Sequence, residues 1–111
     1  MSDDSTVMLH GNEWKRADIA PAVEDCRQHQ WQQQQWGRRD ALVQKNGGTS
    51  SLYVGQSYDS TKVDLVRGGW THDHCEICWW ELFETEDIEH SAAYTNGHGW
   101  ICRECFERFI R

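Results

Sequence analysis

The residues best placed to do chemistry are Cys75 and Cys78, followed after 23 intervening residues by Cys102 and Cys105. A Cys-x-x-Cys pair wraps one edge of a metal ion, and two such pairs close a tetrahedral shell. Four thiolates suit one Zn²⁺ and leave no position for a metal-bound water, so the chemistry implied is structural rather than hydrolytic. His72, His74, His90 and His98 could replace a thiol or build a second site, but with four cysteines to hand they read as hydrogen-bonding or exposed side chains. Cys26 stands alone in sequence and reads as a small buried hydrophobe; it makes the count of five odd, which argues against a disulfide framework.

Three elements must bring the pairs together. The first pair lies in Trp70-Thr-His-Asp-His-Cys75-Glu-Ile-Cys78, just after a Gly68-Gly69 break. Tyr94-Thr-Asn-Gly-His-Gly-Trp100 reads as a hairpin with an Asn-Gly turn. Cys102-Arg-Glu-Cys-Phe-Glu-Arg-Phe-Ile reads as a short helix burying Phe106, Phe109 and Ile110. This order resembles the treble-clef zinc-finger family, in which a knuckle carries the first pair and a helix start carries the second. The segment is also similar to small bacterial zinc-binding proteins of unknown role, which share His-Asp-His-Cys-x-x-Cys-Trp and Trp-x-Cys-x-x-Cys-Phe. The resemblance covers residues 70–111 and carries no activity with it.

Upstream, residues 1–8 read as a frayed polar lead. A helix is expected from Asp18, a candidate N-cap, with Pro21 in its first turn and Gly37 as its stop. Gln32–Gln35 falls on a solvated helix face in this reading. Ala41-Leu-Val43, Ser51-Leu-Tyr-Val54 and Lys62–Val66 are strand signals around an Asn46-Gly-Gly48 turn, so a two- or three-stranded antiparallel sheet is expected over 38–67. The expected fold is α+β. It is a small single domain over 1–111, with an N-terminal helix and antiparallel strands at 9–69 and a treble-clef-like zinc module at 70–111 that ends in a short helix.

Composition narrows the function. The mean hydropathy of -0.82 is strongly polar, so seven tryptophans must supply much of the core. No run approaches 18 apolar residues and Met1-Ser-Asp-Asp4 is unlike a basic leader, so a cytoplasmic chain without membrane attachment is expected. Up to Thr71 there are 8 Lys/Arg against 9 Asp/Glu, and from His72 onward 3 against 9; nets of -1 and -6 make up the total of -7. The cysteine-rich half is the acidic one, which repels a nucleic-acid backbone.

No nucleophile elbow, phosphate-cradling loop or open-site metal motif is visible, so the expectation is no enzyme. A zinc-stabilised protein-interaction module remains, with an acidic surface for another protein, one of basic character. Its candidate contact residues are Trp79, Trp80, Glu84, Glu86 and Asp87. Immunity and adaptor proteins are roles of this class. The alternatives are a nucleic-acid-binding zinc finger, for which only scattered Lys and Arg of the first half are available, and a thiol redox protein. The redox reading is weakened because no Pro lies between the cysteines and no βαβ pattern precedes them.

Overall fold

The computed structural model describes residues 5–111; Met1–Asp4, half of the expected polar lead, lie outside the described residues. The chain packs as two compact units, one formed by the segment up to Trp36 with Asp73–Arg111, the other by Gly37–His72.

The first unit opens with strands β1 (Thr6–Leu9) and β2 (Asn12–Lys15), paired antiparallel with Leu9 opposite Asn12. That register leaves His10 and Gly11 as a two-residue turn. Both have positive φ, 52° and 79°, the requirement of the hairpin turn whose twist matches its strands. Along β1, Val7 and Leu9 are buried while Thr6 and Met8 are exposed, the alternation of a half-buried strand. Residues 6–8 are therefore part of a strand and not a frayed lead.

Helix α1 (Arg16–Cys26) follows the hairpin. It buries Ile19, Val23 and Cys26, an i, i+4, i+7 stripe, and begins two residues before Asp18, which sits in its first turn. Trp31 Nε1 donates to the Cys26 carbonyl at 2.8 Å and closes the helix end. Gln32–Gln35 is strand β3, paired with β9 (Ala92–Thr95), which in turn pairs with β10 (Trp100–Cys102). Glutamine has no strand preference to explain this. The flanking tryptophans do: Trp36 is 1% exposed, its backbone N–H donates to Ser91 O at 2.8 Å and its indole to Asp73 Oδ2 at 3.1 Å. Tertiary anchoring at both ends overrides local propensity.

The second unit is a three-stranded antiparallel sheet, β5 (Ser50–Leu52), β4 (Arg39–Gln44) and β6 (Val63–Trp70) in spatial order. Gly68 and Gly69 do not break the chain but lie within β6. The register slips between Arg39↔Trp70 and Ala41↔Val66, and Gly68 takes φ 67° in that bulge, its N–H donating to Asp40 Oδ1 at 2.9 Å.

Strands β7 (His72–His74) and β8 (Glu81–Phe83) pair with each other; α2 (Ile88–Ser91) precedes β9, and α3 (Arg103–Cys105) runs into a π-helical turn, Phe106–Ile110. The expected α+β fold with an N-terminal helix is thus overturned. The described residues form mainly small antiparallel sheets, 39% strand against 21% helix, and the one long helix follows a hairpin. The physical reason is that helical spacing of apolar residues recurs in two places: Ile19, Val23 and Cys26 form the one buried helical stripe, and Phe106, Phe109 and Ile110, expected to be buried, lie half-buried on the short π-helical turn. Among the described residues, no helix is long and apolar enough to cross a membrane.

Leu9 is 1% exposed and Met8 49%. Leu9→Ala should therefore cost about 2–5 kcal/mol in denaturant unfolding, while Met8→Ala should stay within about 0.5 kcal/mol of the parent. Equal effects would mean that β1 does not pack as described.

Candidate metal centre

The turn between β7 and β8 carries the first pair. Cys75 N–H donates to the Trp80 carbonyl and Trp79 N–H to the Cys75 carbonyl, both at 2.9 Å, so the chain folds tightly back over Cys75-Glu-Ile-Cys78. Ile77 N–H points at Cys75 Sγ at 3.4 Å. The turn is completed by Trp79 in the left-handed region, φ 62°, a conformation that costs a non-glycine residue of order 1–3 kcal/mol. Strand β10 delivers the second pair. Cys102 ends that strand and caps α3, its Sγ accepting from Cys105 N–H at 3.4 Å. Glu76 N–H donates to Trp100 O at 3.0 Å and ties the knuckle to β10. Opposite Cys102 stands Ala93, fully buried, whose small side chain leaves room for the sulfurs.

The four sulfurs lie within 4.8 Å of one another, and all four cysteines are buried. Among the described residues they are the one group of three or more His, Cys, Asp or Glu so placed. With Zn–S of about 2.3 Å, a tetrahedron has edges of about 3.8 Å. Cys78 Sγ and Cys102 Sγ, from different pairs, are 3.7 Å apart. The donor set and spacing therefore fit a tetrahedral metal ion held by Cys75, Cys78, Cys102 and Cys105. Cys26 is buried but not part of this group; burial pushes its thiol up to about 12 and keeps it neutral.

Protons alone serve this cage poorly. Burial works against the Cys75 thiolate, but hydrogen bonds from the Cys102, Cys105 and Cys78 thiols outweigh it and hold Cys75 well below the ordinary thiol range. The Cys105 thiol is pushed up by its bonds to Cys102, Cys75 and Cys78. One thiolate is thus accommodated at the expense of its neighbours, and a dication is what would let all four ionise.

The sequence reading passed over His10. From the hairpin tip its Nε2 reaches Cys102 Sγ at 3.2 Å, and its ring stacks on Trp80 with centroids 3.8 Å apart. Glu104 Oε1 and Glu89 Oε2 face its Nδ1 at 3.7 and 4.0 Å. The available signal was the pair His10-Gly11 between Val7-Met-Leu9 and Asn12-Glu-Trp14, an X-Gly turn flanked by alternating residues. Of the other histidines, His90 stacks on the far side of the chain of rings at 4.5 Å from Trp80, His72 is exposed, and His74 and His98 line a cleft with His29, Asp73 and Glu76. Trp79 is 69% exposed, whereas Trp80 is half-buried with its indole N–H on Glu89 O. Glu84, Glu86 and Asp87 are exposed, and Asp87 caps α2 by accepting from Glu89 N–H.

Compared with known family profiles, curated proteins and solved structures, the chain matches none. The comparisons therefore add nothing to the resemblance to treble-clef fingers or to small bacterial zinc-binding proteins, and the four-cysteine cluster stands on its geometry.

Single replacements by serine at Cys75, Cys78, Cys102 or Cys105 should each abolish stoichiometric metal binding in native mass spectrometry, while Cys26→Ala should retain it. Loss of metal on Cys26→Ala with retention in any of the other four would refute the ligand assignment.

Proposed function

We propose that the chain is a zinc-stabilised protein-interaction module of the immunity or adaptor class. The observation that carries the reading is the closed cage of four buried sulfurs with a 3.7 Å cross-pair edge. Zinc is the natural occupant of an all-thiolate tetrahedron, and a closed shell serves folding rather than catalysis. Apparent binding free energies of about 10–16 kcal/mol for comparable sites would make the ion part of the folding equilibrium of this unit.

The contact surface is argued from Trp79. A large aromatic that is 69% exposed in a left-handed turn, where glycine would be unstrained, is unfavourable for stability on both counts. Residues held against their local preference point to a use, and tryptophan is enriched among the anchors of protein interfaces. The exposed carboxylates Glu84, Glu86 and Asp87 follow in the acidic half of the chain, so the partner would be a basic protein steered by charge. Trp80 is half-buried against His10 and His90, whereas Trp79, with His74 5.3 Å away, keeps most of its surface in solvent, which leaves the anchoring role to Trp79.

Native mass spectrometry should find one zinc per chain, lost together with the fold in acid, as protonation of the thiolates releases the ion. A mass lower by two or four hydrogens without metal would establish oxidised pairs and a redox role instead. For the surface, Trp79→Gly should leave stability unchanged or raise it by about 1 kcal/mol, by removing left-handed strain. It should also abolish a salt-sensitive complex with a basic partner; a complex indifferent to both Trp79 and salt would defeat the surface assignment.

A further inference from the structure

We infer that His10 is a positioning residue of the metal centre. Its Nε2–H clamps the Cys102 thiolate, shields it from solvent, and latches the β1–β2 hairpin to the ion. The inference rests on the zinc reading and asks more of the molecule than that reading does, because four cysteines alone would complete the shell.

The placement of the ring is over-determined. Its backbone N–H donates to Glu104 Oε2 at 3.2 Å, while the other oxygen of the same carboxylate faces Nδ1. Glu104 itself lies between the ligands Cys102 and Cys105, so the loop that presents the sulfurs also grips the histidine. Trp80, two residues after Cys78, supplies the stacking face, 6° from parallel. Both ligand pairs therefore hold a residue 92 positions from Cys102 in sequence. The tip takes φ 52° to deliver it, a cost that a merely space-filling residue would not require at a turn where glycine or asparagine is easier.

Chemistry fixes the direction of the contact. A metal-bound thiolate is an acceptor, and both ring nitrogens of His10 face electron-rich groups, so hydrogen on Nε2 is the arrangement that satisfies the sulfur. Such outer partners orient the ligand and offset its charge, and losing one typically costs 10–100-fold in metal affinity. Access points the same way. The His10 side chain is 5% exposed and lines a recess of about 120 Å³ with Glu89, Arg103, Glu104 and Glu107, whereas Cys102 is fully buried. The imidazole stands between that recess and the sulfur.

The test compares His10→Phe, which keeps the flat ring and removes the donor, with His10→Gln, whose amide N–H falls close to the position of Nε2. Zinc transfer to excess chromogenic chelator, followed by stopped flow, should be at least about tenfold faster in His10→Phe and within about threefold of the parent in His10→Gln. Equal rates in parent and His10→Phe would overturn the inference, as would a His10→Gln that releases zinc as fast as His10→Phe.

If His10→Phe does not fold, the parent protein decides. With ¹⁵N-labelled histidine and zinc bound, imidazole spectra should show His10 carrying hydrogen on Nε2, and an unprotonated Nε2 would overturn the clamp. A parent protein that contains no zinc would instead bring down the zinc reading, and the inference with it, a result separate from any behaviour of the variants.

Discussion

Four sulfur atoms from two segments of chain must meet inside a space that water does not enter, and most of the first unit can be read as the means of arranging that. The sulfurs cannot be neighbours in sequence, because one Cys-x-x-Cys turn spans only an edge of the tetrahedron. A second segment has to arrive from the opposite side with its own pair, and β10 does so by pairing with β9 and ending at Cys102. The knuckle is held to β10 by one backbone hydrogen bond, Glu76 N–H to Trp100 O. Trp36, Leu9, Leu82 and Ile101 are among the most deeply buried side chains of this unit, and none is more than 1% exposed.

The two described non-glycine residues with positive φ, His10 and Trp79, both belong to this centre. They differ in direction. His10 turns inward onto Cys102, while Trp79, one residue beyond a ligand, turns outward into solvent. A turn tight enough to place Cys75 and Cys78 on one ion needs a left-handed residue to end it, and glycine would supply that without strain. Tryptophan there leaves a large apolar face in solvent beside the four cysteines. Under the proposed reading, a contact residue on such a tight turn would lose little freedom on binding.

The parts of the molecule legible in sequence are those where covalent spacing or turn chemistry decides the outcome. The cysteine pairs announce themselves by spacing, and Asn96-Gly97 and Asn46-Gly47 mark the turns between β9 and β10 and between β4 and β5. Gln32–Gln35 was illegible because nothing in four glutamines distinguishes a helix face from an edge strand; the decision rests with Trp31, bonded to Cys26 at the helix end, and above all with Trp36, bonded to Asp73 across 37 residues. His10 was illegible for a related reason. Its role exists only when the hairpin folds onto Cys102 across 92 residues, and a histidine beside a glycine carries no mark of that.

Charge gives such a partner a use. With one dication bound, four thiolates would leave two negative charges in a buried site, within the half of the chain that already carries a net of -6. Nearby carboxylates such as Glu76 do not relieve this; burial first, then Asp25 and Cys75, pushes the Glu76 carboxyl up. Relief has to come from N–H groups aimed at sulfur. Ile77 N–H serves Cys75, Cys102 receives Cys105 N–H, and His10 Nε2 lies 3.2 Å from the same sulfur, the contact inferred above to be a donor. Each left-handed residue costs of order 1–3 kcal/mol, whereas the zinc of comparable sites contributes about 10–16 kcal/mol. On that balance the strain at His10 and Trp79 would be tolerable with an ion bound between the two segments, and without one it would favour release of both turns.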